Sequence, residues 1–251
     1  FRSQSLSSYS HSDVIFSYDA DWGNPVTNAP YVYDFFSETI RSRKSINQEI
    51  RVLSKRADFD QGVRHEWVTG IYYLDIKERN DRKDEGIYED PFSGYPPYEV
   101  DFSSSSYYDS RNLAAFGHFE YLISTSAKVI LGLRWEDWES NYSDSYGESL
   151  SLSNQMSGGK ISLLKAWHEN TNFYLSISRG YKSGGFNLGL GLQPNSSYEN
   201  LMYDPEYLMN YEVGINTRYP SSNLSLDAVL FYSDRENQQD LISTQTDPNE
   251  T

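Results

Sequence analysis

The chain of 251 residues contains no cysteine, so neither disulfides nor thiolate metal sites can stabilise it. That absence leaves cytosol and cell envelope equally open. No run of eighteen apolar residues is present, which excludes a membrane-spanning helix. Phe1 opens the chain without the charged and apolar regions of a signal peptide, and without an initiator methionine the chain is expected to be a fragment or a processed product. Cations are scarce: 21 Lys and Arg stand against 36 Asp and Glu, a formal charge of −15. Such a balance argues against a nucleic-acid partner, because phosphate contacts need concentrated Lys and Arg. The four histidines, His11, His65, His118 and His168, are dispersed. With no HExxH, no GxSxG and no cysteine nucleophile, no catalytic residue and no metal site is assigned.

Apolar residues are also few, at 37%, and the mean hydropathy is −0.68. What the chain has in excess is rings: 22 Tyr, 12 Phe and 5 Trp. Tyr, Phe and Trp favour pleated, half-buried surfaces, so the composition points to strands with one wet face. Period-two alternation bears this out. In "SAKVILGLRWEDWE", Ala127, Val129, Leu131, Leu133 and Trp135 share one face and Lys128, Gly132, Arg134 and Glu136 the other. The same pattern recurs in "YLMNYEVGINTRY" (Tyr207 to Tyr219) and "LSLDAVLFYSDRE" (Leu224 to Glu236), each as a strand. Further strands are expected at about 45–54, 63–78, 110–123, 159–167 and 172–182, with a weaker one at 3–10.

Between them, the connections at 55–62, 124–126, 168–171 and 220–223 read as short, while 22–42, 79–108, 140–152, 187–205 and the tail after 240 read as long and polar. Alternating short and long connections predict an up-and-down meander with two unlike rims, as in outer-membrane barrels whose strands are about 10 residues long. A soluble antiparallel protein, with its apolar face against a second sheet, is the competitor. Trp135, Trp167, Tyr181, Tyr219 and Tyr232 fall near the ends of the apolar stripes, where an interfacial girdle is expected. Lys128, Arg134, Glu136, Lys160, Ser162, Asn210, Glu212 and Asp227 would line the opposite, hydrated face.

The stretch "SRGYKSGGFN" (Ser178 to Asn187) packs two cations, three glycines and two rings together. It is not a phosphate cradle, since Tyr181 rather than glycine precedes Lys182, and Gly184-Gly185 would weaken a following helix. Alternation instead places Tyr181 at the lipid interface, Gly180 and Lys182 toward the lumen, and Arg179 in the lipid phase near the rim. This segment resembles a strand of the barrels of TonB-dependent outer-membrane receptors, particularly the iron-complex group, over Arg179, Gly180, Tyr181, Lys182, Ser183, Gly184, Gly185, Phe186 and Asn187. "YDPEYLMNYEVGINTRY" and "LSLDAVLFYSDRENQQ" resemble the two strands that follow in that family, and "INQEIRVLS" and "HEWVTGIYYLD" an earlier pair.

The resemblance implies an all-β fold: an antiparallel up-and-down transmembrane barrel, of which residues 1–251 supply about nine or ten strands and from which the plug domain and the C-terminal strands are missing. A piece with two open edges is not expected to fold stably alone. It implies active uptake of a scarce nutrient, a ferric siderophore or other iron complex, in the bacterial outer membrane, with outer-membrane lipid and the TonB energy-transducing system as partners, no cofactor and no enzymatic activity. Candidate ligand contacts are Tyr88, Phe92, Tyr95, Tyr98 and Phe102, whose rings give flat contact area at low entropy cost, with Arg134 and Lys182 to meet an anionic complex. A passive porin-like or structural barrel, or a secreted β-sheet binding module, is the alternative.

Overall fold

The computed structural model describes residues 1–21, 23–186, 202–219 and 222–240. They form the strands β1 (Arg2–Asp19), β2 (Val32–Leu53), β3 (His65–Glu89), β4 (Tyr98–Ser124), β5 (Ala127–Asp144), β6 (Ser149–His168), β7 (Thr171–Lys182), β8 (Gly185–Phe186), β9 (Met202–Tyr203), β10 (Glu206–Tyr219) and β11 (Leu224–Glu236). Nine of them make one antiparallel sheet in the order β1-β2-β3-β4-β5-β6-β7-β10-β11, and β8 and β9 pair separately. Each strand of the large sheet lies beside its neighbour in sequence, with the small ribbon inserted between β7 and β10. Among the described residues β1 and β11 pair on one side only, so the sheet is an unclosed part of a barrel.

Cross-strand partners project to the same side, and the register lines up apolar rows on the outer face. One row runs Tyr121, Val129, Leu163, Leu175, Val213 and Leu230 across six strands. The next runs Trp67, Phe119, Leu131, Ile161, Ile177, Tyr211 and Tyr232. These side chains are not covered: Leu133 is 74% exposed, Leu175 52% and Leu230 74%. The buried hydrophobic side chains of the described residues are Ala114, Trp138, Leu150 and Met156, too few for a packed second layer. The accessible surface, 17938 Å², far exceeds the roughly 11,000 Å² of a compact monomer of this mass. Among the described residues no second sheet covers these rows, which have the form of a lipid-facing wall.

The strands are longer than apolar alternation indicates. The expected long connections at 22–42, 79–108 and 140–152 shrink to 20–31, 90–97 and 145–148, while the expected short turn at 55–62 widens to 54–64. Strict alternation of short and long connections therefore does not hold. The reason is that charged residues continue the ladder where apolar ones stop. In "KERNDRKDE", Arg79 pairs with Asp81 at 2.8 Å and Arg82 with Asp84 at 2.8 Å, each two residues along one face. Arg43 reaches Glu78 across strands at 2.6 Å, and Ser37 donates to Asp84 at 2.6 Å. Satisfied in this way, a polar segment pairs its backbone as well as an apolar one does.

Candidate functional site

Two groups of candidate residues lie on the inner face, at different heights. The first is a ring array at the far end of β2 to β4. Tyr33, Tyr88 and Tyr98 are successive cross-strand partners, and the Tyr33 and Tyr88 rings meet edge to face at 5.9 Å. Tyr33 also lies 5.0 Å from Phe35. In the 90–97 connection, Phe92 meets Tyr31 at 6.3 Å, and Tyr95 is 81% exposed. Phe102 stacks on Tyr146 at 5.9 Å with 15° between planes. Tyr88, Tyr98 and Phe102 are thus strand residues with fixed directions rather than loop residues. The sequence reading missed Tyr31, Tyr33, Phe35 and Tyr146. The alternation in "YVYDFF" was the signal for the first three, hidden by assigning 22–42 to a loop.

The second group surrounds Glu136, on the inner face between Ala114 and Met156. Its carboxylate accepts from Arg134 at 2.7 Å, from the Tyr181 hydroxyl at 2.9 Å and from the Asn112 amide. Arg134 also donates to the Tyr181 oxygen at 3.1 Å and lies 5.6 Å from the centre of the Tyr72 ring. Arg134 is therefore engaged within the wall. Its cross-strand partner on β4 is Phe116, eighteen positions from Tyr98 on the same strand. At about 3.3 Å per residue that is roughly 60 Å of strand, so Arg134 and the ring array do not share one small ligand. Lys182 closes β7 opposite Glu206.

The wall segment itself departs from simple alternation. Arg179 keeps to the outer face, donating to the Ser157 carbonyl at 3.0 Å and lying 4.3 Å from the centre of the Tyr207 ring. Tyr181, expected at the lipid interface, instead turns inward to Glu136. Gly158 makes this possible, because a Cβ there would lie 2.9 Å from the Tyr181 ring and 2.8 Å from the Arg179 carbonyl. Beyond Lys182 the chain leaves the sheet, and Gly184 passes so close to the Tyr203 carbonyl that a side chain has no room. Phe186 then packs against Tyr108 at 6.4 Å and Tyr142 at 6.3 Å. Gln239, which sequence reasoning did not single out, ties this exit down by donating to the Ser183 carbonyl at 2.9 Å and the Asp204 carbonyl at 3.0 Å. Asn187 lies outside the described residues.

At the β1–β2 connection Asp21 accepts from the Gly23 amide at 2.7 Å and the Phe35 amide at 3.2 Å. Those amides, Gly23 first, hold its carboxyl below the usual aspartate range. Among the described residues no group of three or more His, Asp or Glu is placed to hold a metal ion.

The model of the TonB-dependent receptor-like β-barrel family matches residues 1–251. No curated protein matches the chain. Among solved structures, the ferric yersiniabactin uptake receptor FyuA from Yersinia pestis is similar at 18% identity and a TM-score of 0.59, over 92% of this chain and 36% of that one. The ferric citrate transporter FecA is similar at 14% identity and 0.58, over 98% and 33%. The copper transporter OprC is similar at 16% identity and 0.60, over 93% and 35%. The chain thus spans about a third of the length of each.

Proposed function

Because the chain belongs to the TonB-dependent receptor-like β-barrel family over its whole length, a family of the bacterial outer membrane, we propose that it is the wall of a receptor for active uptake of a ferric siderophore or other iron complex. Residues 1–251 are part of one barrel domain. Further strands pair with the open edges of β1 and β11, and a plug outside this chain contacts the TonB energy-transducing system. The wall binds and encloses; no residue in it is given a catalytic role. Outer-membrane lipid is the partner of the apolar rows.

The observation that carries the ligand reading is the inner-face row Tyr33, Tyr88, Tyr98, with Phe92, Tyr95 and Phe102 around it. Rings held by paired strands are already ordered before a ligand arrives, which lowers the entropy cost of binding. Lys182, farther down the wall, is offered to an anionic complex that has passed the rim, and Arg134 meets it only with what its bonds to Glu136 and Tyr181 leave free. A secreted module is disfavoured by the uncovered apolar rows, and a passive pore by the family.

The test is ligand binding by the intact receptor, read by intrinsic fluorescence with ferric citrate and ferric hydroxamate and catecholate complexes as probes. Tyr88→Ala and Tyr98→Ala together are expected to weaken the best-bound complex by about tenfold or more, as loss of central aromatic contacts does. Unchanged affinity in that double variant would remove the ring row from the ligand site.

A further inference from the structure

The outer face of β1 to β3 carries a feature that neither uptake nor folding uses. Lys44 and Lys77 are direct cross-strand partners, and His11 is the partner of Lys44 on the next strand. Like charges placed opposite one another destabilise a sheet. The nearby carboxylates each have another partner, and only the Asp13 charge also reaches Lys44. Asp75 accepts from Arg111 at 3.3 Å, Asp109 accepts from Asn141 at 2.9 Å, and Asp13 is paired with His11 at 3.2 Å. Among the described residues neither lysine forms an ion pair or a side-chain hydrogen bond, and both are exposed.

Their height on the wall matters as much as their charge. On β2 the outward positions run Ile50, Gln48, Ile46, Lys44, opposite Ile71, Tyr73, Asp75 and Lys77 on β3. Ile50, Ile46, Ile71 and Tyr73 are all exposed. The lysine pair thus stands one step past Ile46 on β2 and two past Tyr73 on β3, beside the charged pair of Asp75 and Arg111 where the continuous apolar rows end, with Ile40 and its partner Ile15 two steps farther out; there hydrocarbon gives way to headgroups. We propose that Lys44 and Lys77 dock the phosphate of an anionic lipid in the leaflet nearest the long ends of β2 and β3. The proposal rests on the membrane-wall reading of the outer face. The lipid is the occupant because the pair is continuous with the lipid-facing surface and its charge is complementary to a phosphate.

The experiment is titration of the intact receptor, in neutral detergent, with phosphatidic acid and with diacylglycerol of the same chains, read by native mass spectrometry. Wild type is expected to retain phosphatidic acid selectively, and Lys44→Gln with Lys77→Gln to lose about twenty-five-fold in affinity, at about fivefold per lysine near an anionic headgroup. Lys160→Gln, on the inner face, should leave lipid binding unchanged. Relief of the lysine repulsion should leave the double variant melting at or above wild type in neutral detergent, so misfolding does not obscure the result. Equal lipid affinity in wild type and double variant would overturn the proposal. So would displacement of the lipid by equimolar inorganic phosphate, which would mark a site for soluble anions, or a lower melting temperature, which would give the lysines a role in folding. Wild type that retains neither lipid, or both equally, would also overturn the proposal; the membrane-wall reading fails separately, if the apolar rows react in bilayers with a water-soluble thiol reagent.

Discussion

At Glu136 three donors converge on one carboxylate, from β4, from β5 and from the end of β7. Glu136 is 8% exposed, so removing its charge leaves Arg134 with a poorer partner inside the wall. Arg134 is itself 37% exposed, and solvent softens the loss. Glu136→Gln is expected to destabilise the intact receptor by about 1–2 kcal/mol and Tyr181→Phe by about 1 kcal/mol. Thermal unfolding in detergent checks both, and the double variant should lose less than the two single losses together, since both act on one network. Strict additivity would mean that the hydroxyl and the carboxylate act independently. The inward turn of Tyr181 was not legible from its place in the period-two pattern. It depends on Gly158, a residue on another strand whose missing side chain leaves space for the ring.

Elements differ in how plainly they are written. Strands β7, β10 and β11, and the Ala127 to Trp135 part of β5, were legible because one face of each is mostly apolar, and that face must meet lipid. The upper halves of β2, β3 and β4 were not, because alternation there is between charges that pair with each other, as Arg79 does with Asp81 and Arg82 with Asp84. Once Tyr31 to Phe35 and Tyr98 to Phe102 are placed on or beside strands, the ring array follows from register. Reading 22–42 and 79–108 as loops left the same residues unrelated. The β1–β2 connection is held by Asp21, and its hold depends on pH. The carboxyl pKa is lowered in the folded chain, so its contribution is full above about pH 4. It declines as the pH drops further and is lost below the folded value. Hydrogen exchange at the Phe35 amide should therefore lose protection in that acid range. Asp21→Asn should lack that step, and an identical pH profile in the variant would show that Asp21 does not govern the connection.

For the molecule as a whole, one property decides the account: a single layer of nine strands with apolar rows left uncovered on one side and a polar, hydrogen-bonded surface on the other. In water such a sheet has no partner for its apolar face, whereas in a bilayer the same face is solvated by lipid and the other by the barrel interior. The lack of any cysteine makes this directly measurable, because every introduced thiol is the only one in these 251 residues. The decisive measurement is a single-cysteine scan of Lys128 to Trp135 along β5 in the intact receptor, any thiols elsewhere in it removed, reconstituted in bilayers and labelled with a charged, water-soluble maleimide. The account predicts alternation of period two: labelling at 128, 130, 132 and 134 through the hydrated interior, and protection at 129, 131, 133 and 135 against lipid. Uniform labelling along the strand, or protection on the 128–134 face, would contradict it.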